Sequence, residues 1–374
     1  MDRPGGSPTG VPSGAEGAQP SDPDPAQAPD PGPLLDLLDG FRRTKVLTTA
    51  VRLHLFDLLA ERGPLRADEV AAALDLRERP ATLLLTACAA LDLLAGNADE
   101  GYRNSPAAQA FLVSTGAAYL GGYIDLVEEQ HYPGWGELLT SVRDDRPATW
   151  DAAGQEEAFA DQDGAGQGPG GRIELFWKAM ASASAAIAGA VAASYDFAPH
   201  RRLLDVGGGP SDLSVRLCRQ VPGLHATVYD LPQVVALTER RMVDLGLADR
   251  VRTVGGDLLG DAPLPGGHDL VVLSNVLHMW DRETNEAVLR KCHAALDQGG
   301  TLVIAEAFVD DDGSGPRGAA LMSLHMLVNT AGGRNYSRAA YEAMLTRAGF
   351  ARTARLPVAS EVAAGVNGLL VAHK

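Results

Sequence analysis

The spacing of apolar residues along this chain changes twice. The first 33 residues hold few of them and are dominated by Pro, Gly, Asp and Ala. Such a segment cannot bury enough apolar surface to offset chain entropy, so residues 1–33 are expected to be disordered. From Leu34, "LLDLLDGFRRTKVLTTAVRLHLFDLLAERG" repeats apolar residues at three- and four-residue steps and stops at Gly63, a helical pattern. "LRADEVAAALDL" and "RPATLLLTACAALDLLAG" predict two further short helices, with Asp68 as N-cap of the first. "GYRNSPAAQAFL" predicts a small strand and another helix, and "YLGGYIDLVEEQHYPGWGELLTSVRD" continues the helices with aromatics. The acidic, Gly-rich stretch 151–171 predicts a mobile surface loop. "RIELFWKAMASASAAIAGAVAASYDF" then predicts one long helix ending near Pro199.

From Arg201 the pattern alternates between short apolar runs and amphipathic segments. "RRLLDVGGG", "HATVYDLP", "VRTVGGDLL", "HDLVVLSNVLH" and "GTLVIAEAFV" predict five strands. Helices lie between most of them, and "ARTARLPV" with "VNGLLVAHK" predicts a closing hairpin. Alternation of this kind implies an α/β fold with a doubly wound parallel sheet, whose ligands bind beyond the carboxyl ends of the strands.

Three short helices followed by a hairpin make the first part of the chain winged-helix-like. A net charge of -16, with basic residues such as Arg77 and Arg79 scattered among acids, argues against nucleic-acid binding. A dimerisation and lid module is the better reading. The three cysteines, Cys88, Cys218 and Cys292, form neither a metal spacing nor a disulfide framework, which fits a cytoplasmic protein. No secretory pattern opens the chain, and no uninterrupted apolar run reaches the roughly 20 residues of a membrane span.

The candidate chemistry sits at the strand ends. "LLDVGGGPSD" brings Asp205 to a turn made by Gly207, Gly208 and Gly209, where backbone can approach a ligand closely. Asp230 and Leu231 close the second strand, and a carboxylate there can accept both hydroxyls of a ribose. Asp257 and Leu258 follow the third strand, within reach of an adenine. A dinucleotide fingerprint would need Gly three residues after Gly209, but Asp212 stands there. Three acidic strand ends in this order suit S-adenosylmethionine better.

Together with "YDLPQV", "NVLHMWD", "CHAALDQGGTLVIAE" and "ALMSLHMLVNTAGGRNYS", these motifs make the chain resemble the S-adenosylmethionine-dependent O-methyltransferases of the plant caffeate and acetylserotonin type, in their actinobacterial natural-product branch. The resemblance covers residues 34–374. It implies a class I methyltransferase domain, Rossmann-like with an antiparallel last strand, over residues 199–374. It also implies a mainly α-helical, winged-helix-like dimerisation and lid domain over 34–198, and hence a homodimer. Carried over position by position, Asp205, Gly207 and Gly209 lie by the amino-acid part of the cofactor and Asp230 by its ribose. Asp257 and Leu258 frame its adenine, and Ser274 contacts its carboxylate or ribose side. Ser211 departs from the Gly of many members.

The same resemblance makes His278 the general base and Glu306 the carboxylate that orients it. Met279 replaces the usual Asp after the base, and Asn335 stands near the family's second flanking carboxylate. Phe176, Trp177, Met180, Met322, His325, Met326 and Asn329 are candidate acceptor contacts, with Tyr132 and Trp135 beside them. His325 opens an alternative. With His278, and with Glu306 or Asp281 nearby, it would ligate a divalent metal or iron for C-methylation of an α-keto acid. A non-enzyme alternative is an inactive cofactor-binding protein or a winged-helix regulator; the acidic charge and the retained His278 and Glu306 count against it.

Overall fold

The computed structural model describes residues 29–149, 169–358 and 366–374. Most of the expected tail and of the expected 151–171 loop lies outside these residues. The described residues up to Lys45 form one unit and those from Val46 onward another.

Helix α1 spans Gly32–Arg52 and α2 spans Leu55–Arg62. The apolar repeat predicts no interruption between them. The break falls at His54, which adopts a left-handed conformation (φ 54°) and places its ring 3.1 Å from Asp57. Helix α3 (Ala67–Ala73) is not capped by Asp68. Its N-cap is Arg66, whose backbone N–H donates to Glu69 at 2.8 Å. Helix α4 (Glu78–Ala90) leads to a hairpin of β1 (Leu94–Asn97) and β2 (Gly101–Asn104), then α5 (Pro106–Phe111), capped by Ser105. Phe56, Leu85, Cys88 and Tyr102 share one buried cluster here.

Helix α6 (Gly121–Leu126) runs into a π-helical turn over Val127–His131, then α7 (Tyr132–Gly136) and α8 (Leu138–Asp144). Helix α9 spans Pro169–Ser194. Its stretch Glu174–Ser194 is long and apolar enough to cross a membrane, the one such helix among the described residues. Ala188 and Val191 are buried against Leu203, Leu213 and Val272 beside the sheet, while most of the stretch is half-buried or exposed.

The second part is a seven-stranded sheet ordered β5-β4-β3-β6-β7-β9-β8. The strands are β3 (Arg202–Val206), β4 (His225–Asp230), β5 (Val251–Gly255), β6 (His268–Ser274), β7 (Leu296–Glu306), β8 (Arg352–Pro357) and β9 (Gly368–His373). Strands β3–β7 pair in parallel, and β9 alone runs the other way, pairing antiparallel with both β7 and β8. Helices α10 (Asp212–Gln220), α11 (Pro232–Asp244), α12 (Arg282–Ala295), α13 (Arg317–Asn329) and α14 (Arg338–Arg347) complete the chain. Both faces of the central strands are covered. Val271 and Leu273 join one core, Leu270 and Val272 the other. Continuous Val/Leu runs are what a doubly covered parallel strand requires. The order reverses between β3 and β6, so the carboxyl ends of these strands border the crevice where a ligand belongs.

Candidate active site

At the crevice, Gly207 turns with φ 67°, and its N–H donates to the Tyr229 carbonyl at 2.8 Å. A Cβ at Gly207 would lie 2.9 Å from Cγ2 of Val276, so only glycine lets the turn lie against the loop that follows β6. Gly209 N–H and Leu231 N–H each donate at 2.8 Å to one oxygen of Asp230. Each of those oxygens retains a second lone pair for a ribose hydroxyl. Ser211, the departure from Gly, takes the left-handed conformation (φ 64°) that Gly would adopt freely. Asp257 is exposed just past β5, with Oδ1 accepting from Leu259 N–H at 2.8 Å, and Leu258 packs on the core. Ser274 ends β6, half-buried.

Asp205 is 3% exposed and accepts from Ser214 Oγ at 2.6 Å. Burial pushes its carboxyl up to about 6, from an ordinary value near 3.8. Burial also raises Asp230, against the lowering effect of its two backbone donors. Asp205 is thus a desolvated carboxylate that a cation would stabilise, and an ammonium such as that of S-adenosylmethionine would suit it. The sign follows from ionisation. Above pH 6 Asp205 is charged and can hold an ammonium. Below pH 6 it is protonated and the attraction is lost. Calorimetric affinity for S-adenosylhomocysteine is expected to fall as pH drops from 7 to 5, with proton release on binding near pH 6. An affinity that stays flat across this range would refute the assignment.

The second half of the site is a short turn after β6. Asn275 is left-handed (φ 53°) and donates its N–H to Ala305 at 2.9 Å. A 3-10 turn over Leu277–Met279 then presents His278. Glu306, at the end of β7, is fully buried. Its Oε1 accepts from the N–H groups of Val276 (2.8 Å) and Leu277 (2.9 Å), and its Oε2 lies 2.8 Å from His278 Nδ1. Asn285 on α12 donates to the carbonyls of Leu277 (2.9 Å) and Trp280 (3.2 Å). This clamp was not expected from the sequence. Gly333 packs so close that a Cβ would stand 2.5 Å from the His278 carbonyl. Asn335 is buried, with Nδ2 donating to the Ala307 carbonyl, next to Glu306, and its backbone N–H donating to Ser323 Oγ.

The candidate acceptor contacts divide into two groups. Met322, His325, Met326 and Asn329 recur at helical spacing on α13, with Met326 buried and the others half-buried. Trp135 Nε1 donates to His325 Nδ1 at 2.9 Å, and Asn329 Nδ2 donates to the His325 carbonyl at 2.8 Å. Trp177 instead turns to the cofactor side. Its Nε1 reaches Thr238 Oγ1 at 3.4 Å, and Thr238 donates to Gly209 at 2.6 Å. Phe176 is 37% exposed and Met180 half-buried. His131, which was not singled out in the sequence, stands at the end of the π-helical turn with its ring centroid 4.3 Å from that of His325.

The donors do not fit the metal alternative. Trp135 donates to His325 Nδ1, so the neutral His325 ring carries its proton on Nε2 and has no lone pair left for a metal, while Asp281 caps α12 through Thr284 N–H at 2.9 Å. Among the described residues no group of three or more His, Cys, Asp or Glu side chains is arranged to hold a metal ion. A catalytic zinc site takes three protein ligands.

Residues 135–351 match the O-methyltransferase domain, and residues 35–114 match the O-methyltransferase dimerisation domain. The 3-hydroxy-5-methyl-1-naphthoate 3-O-methyltransferase of Streptomyces sahachiroi is 43% identical over 337 residues, covering 89% of this chain and 94% of its own. Among solved structures, PigF with SAH has a TM-score of 0.78 at 30% identity, covering 92% of this chain and 100% of that one. Human N-acetylserotonin methyltransferase in complex with SAM has a TM-score of 0.79 at 26% identity, covering 93% and 99%.

Proposed function

Since this chain belongs to the O-methyltransferase family and is an S-adenosylmethionine-dependent methyltransferase, we propose that it methylates a phenolic or enolic hydroxyl of a small natural-product molecule, with His278 as general base. The observation that carries this reading is the fully buried Glu306, which holds the His278 turn through two backbone N–H groups and the imidazole itself through Nδ1. A carboxylate can only accept, so Nδ1 bears the proton and Nε2 is left with its lone pair. Nε2 takes the hydroxyl proton as the oxygen forms its bond to carbon, and Glu306 stabilises the imidazolium that results. When bound, S-adenosylmethionine supplies a methyl group already activated on a sulfonium. Asp205, Asp230 and the Gly207–Gly209 turn hold that cofactor, Asp257 and Leu258 frame its adenine, and positioning supplies much of the remaining rate.

The test is methyl transfer to a panel of phenols, enols and α-keto acids, with product mass and methyl position read out. Methyl ethers formed equally well with and without chelator support the reading. Chelator-sensitive methylation at carbon would overturn it.

We further assign residues 199–374 to cofactor binding and residues 34–198 to dimerisation and covering of the acceptor pocket, in a cytoplasmic homodimer. The buried free thiols of Cys88, Cys218 and Cys292 suit a reducing compartment. The first half of α1 supports the dimer, because Leu34, Leu35, Leu37, Leu38 and Phe41 are all more than half exposed. Such a stripe is costly to leave in water and fits a second copy of the chain. Leu37→Asp with Leu38→Asp is expected to convert the dimer to monomer in light scattering after gel filtration. A dimer that survives both substitutions would place the interface elsewhere.

A further inference from the structure

Across the acceptor side from His278 lies a polar group that the methyl-transfer chemistry does not use. His131 ends the π-helical turn, a feature often found at functional sites. Its ring meets that of His325 edge-on, at 4.3 Å between centroids and 72° between planes. Trp135 lies nearly parallel to His325, at 16° and 6.2 Å, while donating its Nε1–H to Nδ1. An indole N–H can only donate, so His325 Nδ1 must be unprotonated and the proton of the neutral ring sits on Nε2. Asn329 adds a second donor beside the ring. Its Oδ1 accepts from Thr149 at 3.0 Å, and its Nδ2, which donates to the His325 carbonyl at 2.8 Å, lies 3.1 Å and 3.2 Å from the two ring nitrogens. A positive ring would face two donors and a second histidine. Burial lowers His325 to about 3 and His131 to about 4, with the charges of His131 and His278 adding to the effect on His325. His325 feels the charge of His278, so the two side chains stand within electrostatic reach of each other.

We propose that His131 and His325 form a neutral imidazole pair that sets acceptor specificity, with His325 donating its Nε2–H to a second oxygen of the acceptor, a carbonyl or a carboxylate, away from the hydroxyl that is methylated. Trp135, Asn329 and Thr149 are positioning residues for that donor. The inference deepens the proposed function and rests on it. A site that keeps a donor neutral and dry rejects acceptors lacking the matching oxygen, because its N–H would then be buried without a partner.

The test uses three probes: 3-hydroxy-2-naphthoate, its methyl ester, and 2-naphthol. The quantity read is the ratio of kcat/KM for each oxygen-bearing probe to that for 2-naphthol. Wild-type enzyme is expected to prefer one or both oxygen-bearing probes. His325→Leu is expected to reduce that ratio by about 10–100-fold, whatever loss is common to all three probes. His325→Gln, which keeps an N–H donor, is expected to retain part of it, and Trp135→Phe, which frees the tautomer, to lie between. A preference confined to the acid identifies a carboxylate, and one shared with the ester identifies a carbonyl. A ratio unchanged in His325→Leu, or lost equally in the Gln and Leu variants, overturns the donor role while leaving the proposed function intact. A wild-type enzyme that methylates none of the three overturns both.

Discussion

Substitution of His278 by Ala is expected to lower kcat by about 10²–10⁴-fold with little change in affinity for S-adenosylhomocysteine. In the proposed assignment the imidazole supplies the free basic nitrogen at the crevice, and Asp205, Asp230 and the glycine turn hold the cofactor without it. Residual turnover is expected because the activated methyl donor and the positioning of the acceptor survive the loss of a base. That residual rate should rise steadily with pH, as solvent hydroxide replaces the missing group. Full turnover in the variant at saturating acceptor would remove His278 from the mechanism.

Much of the proposed machinery is legible in the sequence because its carriers are strand ends. Parallel strands buried on both faces must be continuous Val and Leu runs, so Asp205, Asp230, Ser274 and Glu306 declare themselves where those runs stop. Less legible are features decided by side-chain direction or by irregular backbone. The five residues Val127–His131 have no period that distinguishes a π-turn from ordinary helix, and His131 is hidden there. The break at His54 depends on one left-handed residue inside an unbroken apolar repeat. Trp177 follows Phe176 on the same helix, yet the rotation of α9 aims its indole at Thr238 and so at the cofactor turn. Asn285 reads as an unremarkable polar residue on an amphipathic helix, and only the tertiary fold turns it onto the carbonyls of the His278 turn.

The loss of the Asp after the base, where Met279 stands, and of the second carboxylate, where Asn335 stands, concentrates the positioning of His278 on Glu306. Glu306→Gln is therefore expected to be nearly as damaging to kcat as His278→Ala, for a reason of proton placement. The amide oxygen of Gln can keep the two backbone bonds to Val276 and Leu277, which anchor Oε1 in the wild type. Its NH2 then faces His278 Nδ1, where a carboxylate oxygen accepted before. Two donors cannot share that contact, so the imidazole proton moves to Nε2 and the basic nitrogen is blocked. A fall in kcat of about 10²–10⁴-fold is expected, with the melting temperature close to that of wild type. Glu306→Ala separates the structural contribution. It leaves two buried N–H groups without partners, at about 1–3 kcal/mol each, and should lower the melting temperature clearly. The double variant His278→Ala with Glu306→Gln should be scarcely slower than either single one, because both act on one proton transfer. If Glu306→Gln kept more than about a tenth of wild-type kcat, or if its losses multiplied with those of His278→Ala, Glu306 would be a scaffold for the turn and not the group that sets the tautomer of the base.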